Sequence, residues 1–424
     1  MAYRGWVKRR YAAMLTALLA VSGCGVSSTA TPEPTATPEP TMSAPTNELP
    51  PTSGADTTEA GADDAAPSAT ADPSVTSAST PGGSGISATA KPNTGRPAAP
   101  GPGASTPRPG AGPPAPSGVL RSVDVADVAG LERAMVAATP GTLIDLASGS
   151  YVRPGGQRWS ATADGTSEHP IVLRGPRTAV LASAGPSGDY ALFVTGHHWH
   201  IEGLSIANAS TGIAIEGTTG FQATSVDIGR IGEEGVHFRR CATDASVTTS
   251  VIHDTGLTQP GYGEGIYVGS AQGHWGTYGC SAGVDRTSRI TVQGNTFRNI
   301  TAEGVDVKEG TDGGVIRDND FDGTGFSGVT YADSAIELKG RGWLVEGNRI
   351  RTPRGANVDG IQVFRVVDGW GGGNTLRSNR IEGAWPGFGI RLSPTLDNVA
   401  ACSNTAPSAA KGLLAQFSTT IACR

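Results

Sequence analysis

At Ala302-Glu303-Gly304-Val305-Asp306-Val307-Lys308-Glu309 the sequence alternates apolar and polar residues, and the same form recurs along the chain. Successive side chains of a β-strand point to opposite faces, so Val305 and Val307 would share one face while Asp306 and Lys308 share the other. Charges set this close together on one strand are costly unless they are paired or used. The stretch therefore predicts a strand with one apolar side and one charged side.

The recurring form is a small residue followed by an apolar–polar–apolar triplet, and it begins at Gly212, Gly235, Gly265, Gly304, Ala335, Gly360 and Gly389. The first apolar residues of these triplets are separated by 23, 30, 39, 31, 25 and 29 residues. A second repeat, asparagine followed by a polar and a large apolar residue, begins at Asn295, Asn319, Asn348 and Asn379. Two interleaved repeats with a short basic unit and variable insertions are typical of a β-solenoid.

The fold class follows from these repeats. Asparagines at one point of each coil suit tight turns, where stacked amides form hydrogen-bonded ladders. A leucine-rich repeat is the main alternative, but the leucine-dense signature and a helical period between the strands are absent. A short amphipathic helix over residues 127–138, capped by Asp127 and ended by Pro140-Gly141, precedes the repeats. We predict an all-β, right-handed parallel β-helix formed by a single chain, with this helix as its N-terminal cap.

Residues 1–24 have the pattern of an export signal. Four cations, Arg4, Lys8, Arg9 and Arg10, precede a short apolar run that ends in Val21-Ser22-Gly23-Cys24. The pattern resembles a bacterial lipoprotein signal, which implies lipidation of Cys24 and anchorage to the outer face of the cell membrane. An ordinary secretory signal in which Cys24 has no role is the alternative.

The remaining chain divides into a tether and a domain. Residues 25–118 are rich in Pro, Ala, Thr, Ser and Gly, and bury too little apolar surface to fold, so we expect a disordered tether. Residues 119–424 are enough for one domain. The net charge of −6 does not favour nucleic acid as a partner, and we expect a monomer.

Four cysteines lie in the predicted domain, and an even number in an exported protein indicates disulfides rather than a metal site. Of the three possible connectivities we favour Cys241–Cys280 and Cys402–Cys423. No pair has the close Cys-x-x-Cys spacing of zinc sites.

Alignment of the coils sorts the polar residues into three columns, because equivalent residues in successive coils stack about 4.8 Å apart. The first column consists of Thr211, Glu234, Glu264, Glu303, Ser334 and Asp359. The second consists of Ala214, His237, Tyr267, Asp306, Glu337, Gln362 and Arg391. The third consists of Glu216, Arg239, Gly269, Lys308, Lys339 and Phe364. Charge concentrates in the middle coils, where insertions over 269–289 and 323–334 could wall a groove; a solvated ion-pair network is the alternative.

Part of the chain resembles a known family. The phrase Gly165-Thr166-Ser167-Glu168-His169-Pro170-Ile171 and the Asn-x-Phe coils resemble the pectate-lyase-like β-helix superfamily over about residues 122–392. Within it, the chain is most similar to polysaccharide lyases of the chondroitinase B and alginate lyase type. In those lyases a Glu-x-x-x-x-Lys run supplies a calcium ligand and the base, and Glu303 and Lys308 match it. The second acid of that run falls on Thr301, and the arginine of the next coil falls on Lys339.

The resemblance implies a surface-anchored polysaccharide lyase that cleaves a uronic-acid-containing glycan by β-elimination. A lysine with a lowered pKa would serve as the base and Ca²⁺ would neutralise the uronate. The candidate catalytic residues are Lys308, Lys339, Asp306, Glu337, His237 and Arg239. The candidate sugar-binding residues are Tyr267, Arg391, Trp275 and Tyr331, and the candidate metal ligands are Glu264, Glu303 and Asp333. A glycoside hydrolase that uses Asp306 and Glu337, or a glycan-binding protein without activity, remains open.

Overall fold

The computed structural model describes residues 116–281, 283–393 and 397–415. In this part of the chain, three parallel sheets wind around one apolar core as a right-handed parallel β-helix. Each coil contributes a strand to the first, second and third sheet in turn, so each strand pairs with the equivalent strands of the coils before and after it. The predicted fold class is confirmed, and the leucine-rich repeat is excluded.

The first sheet has eleven described strands, Arg121–Val125, Thr142–Leu146, Ile171–Arg174, Trp199–Glu202, Gln222–Thr224, Ser246–Thr248, Thr291–Gln293, Val315–Arg317, Leu344–Glu346, Thr375–Arg377 and Val399–Ala400. The second has nine described strands, Gly149–Val152, Ala179–Ala182, Ser205–Ala209, Asp227–Ile231, Val251–Thr255, Thr296–Ile300, Asp320–Thr324, Arg349–Arg351 and Arg380–Ile381. The third also has nine, Trp159–Ala161, Leu192–Val194, Ile213–Glu216, Val236–Arg239, Ile266–Val268, Val305–Val307, Ser334–Leu338, Asp359–Val363 and Ile390–Leu392.

Helix α1, Val128–Val136, packs against the first coil. The Asp127 side chain accepts a hydrogen bond of 2.6 Å from the backbone N–H of Gly130, as predicted for the cap, and Leu131 is fully buried. The strand Arg121–Val125 that precedes the helix was not predicted, because it lies before both repeats. The other helical segments are Trp275–Tyr278 and the 3₁₀ turns Pro154–Gly156, Pro260–Tyr262, Gln272–His274 and Val329–Tyr331. None of the helices in the described ranges is long and apolar enough to cross a membrane.

The asparagine repeat forms the expected ladder at the turn between the first and second sheets. Each side-chain amide donates to the amide oxygen of the next asparagine, from Asn295 to Asn319 at 3.1 Å and from Asn319 to Asn348 at 2.9 Å. Asn348 donates to Asn379 at 3.0 Å, and the ladder continues to Asn404, which the repeat did not include. All members are buried, so each amide satisfies polar groups that would otherwise be costly inside the core.

The disulfide Cys241–Cys280 is present, as predicted, with the Cα atoms 6.1 Å apart. It connects the turn after Val236–Arg239 to the insertion that carries the helix Trp275–Tyr278. Cys402 is also disulfide-bonded. Its predicted partner Cys423 lies outside the described residues, as do residues 1–115 with Cys24.

Candidate active site on the third sheet

The second column of polar residues is confirmed on the outer face of the third sheet. Parallel pairing places its members side by side in the predicted order, Ala214, His237, Tyr267, Asp306, Glu337, Gln362 and Arg391. The apolar residues on either side of each member point into the core. Because the side-chain period of a strand is two, the repeat itself puts these groups on one surface.

Five side chains from three adjacent coils form what we call the ionic layer, Tyr267, Asp306, Lys308, Glu337 and Lys339. The Lys308 Nζ atom lies 2.6 Å from Oδ2 of Asp306 and 4.9 Å from the centroid of the Tyr267 ring. The Lys339 Nζ atom lies 3.2 Å from Oδ1 of Asp306 and also contacts Oε2 of Glu337. Asp306 is only 1% exposed, so both of its oxygens contact ammonium groups away from water.

Burial and charge shift the pKa values of this layer strongly. Burial alone would raise the pKa of Asp306, but the charges and hydrogen bonds of Lys308 and Lys339 lower it below its ordinary value. Burial alone would lower the pKa of Lys308, but the negative charges of Asp306 and Glu337 raise it well above 10.5. Burial, together with the charges of Asp306 and Glu264, raises the pKa of Tyr267 well above 10.0.

These directions correct one expectation from the sequence. A base lysine with a lowered pKa was expected at position 308, whereas the pKa of Lys308 is raised. The reason is that Asp306, two residues before Lys308, provides a contact stronger than the cost of burying the ammonium group. Lys308 is therefore an ammonium group at neutral pH in the free protein, and Tyr267 is a protonated phenol.

Beside the ionic layer, three buried carboxyl groups lie close together, namely those of Glu264, Glu303 and Asp306. One oxygen from each lies within 4.8 Å of the other two. Burial, together with the charges of neighbouring acids, raises the pKa values of Glu264 and Glu303 well above 4.5. The buried Oε2 atom of Glu264 has no hydrogen-bond partner among the described residues. A hard divalent cation, which prefers carboxylate oxygens, fits this donor set and would displace the protons of the two glutamic acids.

Two of the three candidate metal ligands lie in this acid cluster. Glu264 and Glu303 belong to the acid cluster, but Asp306 takes the place expected for Asp333. The Asp333 carboxylate instead accepts a hydrogen bond of 2.8 Å from the side-chain amide of Gln362. Asp333 lies just before its strand in an insertion, so column alignment could not fix its direction.

His237 is buried next to Tyr267, and both of its ring nitrogens face acceptors. Its Nε2 atom lies 3.1 Å from the carbonyl oxygen of Gly269, and its Nδ1 atom lies 3.3 Å from Oε1 of Glu234. Its ring meets the Tyr267 ring edge-to-face at 4.5 Å. Glu234 was placed in the first column but not predicted as a site residue.

Arg239 belongs to a neighbouring cluster rather than to the ionic layer. It donates to Glu216 at 2.8 Å and to the Tyr190 hydroxyl at 3.2 Å, and its guanidinium lies 4.2 Å from the Tyr278 ring. Tyr190 precedes Leu192 in the way that Glu234 precedes Val236. One more coil in the alignment would therefore have identified it.

Of the predicted sugar-binding residues, Tyr267 belongs to the ionic layer. The other three lie on two insertions and on a later strand of the third sheet. The Trp275 indole N–H donates to the Ser270 carbonyl at 3.0 Å, in the insertion that follows the strand of Tyr267. Tyr331 is 67% exposed in the second insertion. Arg391 lies on the last strand of the third sheet, with Nη1 3.8 Å from Oδ2 of Asp359.

Comparisons with known proteins agree with this architecture. A family model described as "Right handed beta helix region" matches residues 190–350. A crystal structure of alginate lyase from Paenibacillus sp. str. FPU-7 is 33% identical, with a TM-score of 0.65, over 70% of this chain and 99% of that chain. A rhamnogalacturonan lyase structure is 10% identical, with a TM-score of 0.52, over 69% of this chain and 81% of that chain, and so supports the fold alone. A comparison with curated proteins finds no match.

Proposed function

Because the chain belongs to the right-handed parallel β-helix family that includes the Paenibacillus alginate lyase, we propose that it is a polysaccharide lyase. Its substrate is a glycan that contains uronic acid, and the reaction is β-elimination. The observation that carries the proposal is the ionic layer, in which Lys308 lies between the Asp306 carboxylate and the Tyr267 ring. The layer combines positive charge for a uronate with two groups that can transfer protons.

β-Elimination on a uronide needs a base and an acid. The base removes the proton from C5, the electron pair forms the C4–C5 double bond, and the bond from C4 to the glycosidic oxygen breaks. The leaving oxygen then takes a proton from the acid. We assign the base to Lys308 in its neutral form and the acid to Tyr267, whose raised pKa keeps the phenol protonated.

Positive charge is needed because the C5 proton becomes acidic only when the neighbouring carboxylate is neutralised. Lys339, whose pKa is raised, places a positive charge beside Asp306 and Glu337. Ca²⁺ held by Glu264, Glu303 and Asp306 would add to this neutralisation. The exposed Tyr331 and Arg391 side chains and the half-buried Trp275 ring are proposed to contact the flanking sugar units.

A glycoside hydrolase is the second candidate, because Asp306 and Glu337 are paired in register on adjacent strands. Such an enzyme needs one carboxylate free to act as nucleophile or base. Both oxygens of Asp306 contact lysines and the residue is almost fully buried, so it is poorly placed for that role. This geometry favours the lyase.

The test is product formation on a panel of uronic-acid polysaccharides, among them alginate, polygalacturonate and glucuronan. We expect an absorbing unsaturated uronide from the full-length protein. Lys308→Ala should lower its rate of formation by at least about a hundredfold, the usual effect of removing a general base. Lys411→Ala, which removes an exposed lysine beside Phe388, is the matched control and should leave the rate unchanged.

New reducing ends without the unsaturated product would support a hydrolase instead. Glycan binding without any product would indicate a glycan-binding protein without catalytic activity. Either result contradicts the proposed elimination.

The location of the protein is proposed from its sequence. An export signal ending at Cys24 and a tether over residues 25–118 suit a monomeric enzyme held on the outer face of the bacterial cell membrane. Its partners are then the lipid membrane, through Cys24, and a polysaccharide.

A further inference from the structure

A cavity of about 560 Å³ opens next to the third sheet, at the turn that leads back to the first sheet. We call it the turn cavity, and its charged lining residues are Asp312, Arg341, Arg365 and Asp397. Its volume lies within the range of about 300–1,000 Å³ that is usual for small-molecule sites. The ionic layer does not use any of these four residues.

The turn cavity adjoins the ionic layer along the chain. Asp312 follows Lys308 by four residues, and Arg341 follows Lys339 by two, on the same two coils. Two residues span at most about 7 Å of extended chain. The first residues of the cavity lining therefore follow the two lysines within one short turn of the chain.

The insertion between Asp359–Val363 and Thr375–Arg377 builds the far wall. Its Trp370 is buried, and the Arg341 guanidinium lies 4.6 Å from the indole centroid. Arg341 also donates to Asp312 at 2.9 Å. Gly372 and Gly373 line the cavity without side chains, so the backbone forms part of its floor. The stacking of Arg341 on the buried Trp370 therefore positions this wall.

Arg365 is the loosely held cation of the turn cavity. Its Nε atom lies 3.7 Å from Oδ1 of Asp368, and the Asp368 side chain is 97% exposed. An ion pair this exposed contributes little, so a ligand carboxylate can replace Asp368. Guanidinium groups bind carboxylates through two parallel hydrogen bonds. On the opposite side, Oδ1 of Asp397 accepts from the Gly373 backbone N–H at 2.7 Å, and Oδ2 can accept from a hydroxyl group.

We propose that the turn cavity is a second sugar-binding site that takes one uronate unit of the glycan. The uronate carboxylate pairs with Arg365, and its hydroxyl groups donate to Asp397. This inference rests on the proposed function, because it assumes that the ionic layer and the turn cavity bind the same polymer.

The test measures binding without turnover, in full-length protein that carries Lys308→Ala. Hexasaccharides of alginate, polygalacturonate and glucuronan are titrated by calorimetry. Adding Arg365→Ala should weaken binding of the preferred hexasaccharide about tenfold, as expected for one charged hydrogen-bonded contact. Arg365→Glu should weaken it further. Arg377→Ala is the matched control, since Arg377 is equally exposed and pairs with Glu346 on the first sheet.

Unchanged affinity in both Arg365 variants, or an equal loss in Arg377→Ala, would overturn the proposed site. If no hexasaccharide binds, both the sugar-binding site in the turn cavity and the lyase proposal are wrong. If unsaturated product forms but Arg365 does not affect binding, only the site is wrong. If binding depends on Arg365 but the wild-type protein makes no product, the site stands and the lyase proposal is wrong.

Discussion

Lys308 illustrates how a single residue acquires its chemistry from its neighbours. As an isolated side chain it would be an unremarkable base, and burial alone would favour its neutral form. Contact with Asp306 reverses this preference and raises its pKa. The free protein therefore holds Lys308 in the protonated form, which can bind a carboxylate but cannot accept a proton.

This charge state predicts the pH dependence of the proposed lyase. Only the fraction of molecules with neutral Lys308 would react, and that fraction grows as pH rises towards the raised pKa. We expect kcat/KM to rise roughly tenfold per pH unit from about pH 7 to about pH 9, measured by formation of the unsaturated uronide. Tyr267 would keep its proton over this range, because its pKa is also raised.

Lys308→Arg provides the control for this profile, because an arginine keeps its charge at all these pH values and should be inactive throughout. A kcat/KM that stays constant over the same range would contradict the assignment of Lys308 as the base. The better candidate for the base would then be Glu337, which is the less buried of the two acids in the ionic layer.

At the scale of elements, the insertion over residues 269–289 depends on contacts outside itself. Its helix, Trp275–Tyr278, has only four residues, and a helix this short is not stable alone. The disulfide Cys241–Cys280 and the Arg239–Tyr278 stack hold it beside the third sheet. The strands below it are held by their own ladder and do not need the disulfide.

Removal of the disulfide should therefore loosen the insertion more than the coils. We expect the double variant Cys241→Ala, Cys280→Ala to raise KM by about three- to tenfold with a smaller change in kcat, since a mobile wall costs ordering entropy on binding. Steady-state kinetics on the preferred polysaccharide measure this. Cys402→Ala, on the last coil, serves as the control, and an equal effect there would show that the disulfide does not act through the insertion.

At the scale of the whole molecule, the solenoid provides a rigid surface on which three coils contribute to one site. Each coil is stabilised by its neighbours, through strand pairing, the asparagine ladder and stacked core rings such as Phe297 and Phe321, whose centroids are 4.6 Å apart. The ionic layer lies in the middle of this stack, where each coil has a neighbour on both sides.

The proposed anchor predicts where the whole molecule is found. In a bacterial host that processes lipoproteins, the full-length protein should partition with the membrane fraction, since lipid chains on Cys24 bind the bilayer. Cys24→Ala should move it to the soluble fraction, whereas Ser27→Ala should not. Membrane association that survives Cys24→Ala would show that the anchor lies elsewhere.

The fold and the location of the site were predictable from the sequence because both follow from periodicity. A repeat of apolar triplets determines which side chains enter the core, and the alternation of a strand sends the residues between them outward. The order of the column from His237 to Arg391 is therefore already present in the sequence. The buried asparagines follow from the same coil alignment, whereas the pairing of Cys241 with Cys280 was favoured among three connectivities because it closes a long loop.

Only the tertiary structure decided the chemistry within that surface. The raised pKa of Lys308, the place of Asp306 rather than Asp333 among the buried acids, and the turn cavity at Arg365 depend on burial and on distances between coils. Electrostatic energies depend on the distances to neighbouring charges and on the exclusion of water, and a repeat pattern specifies neither the distances nor the burial. The sequence thus determines which residues share a surface. The packing of the coils and insertions determines the protonation of these residues and the groups that they contact.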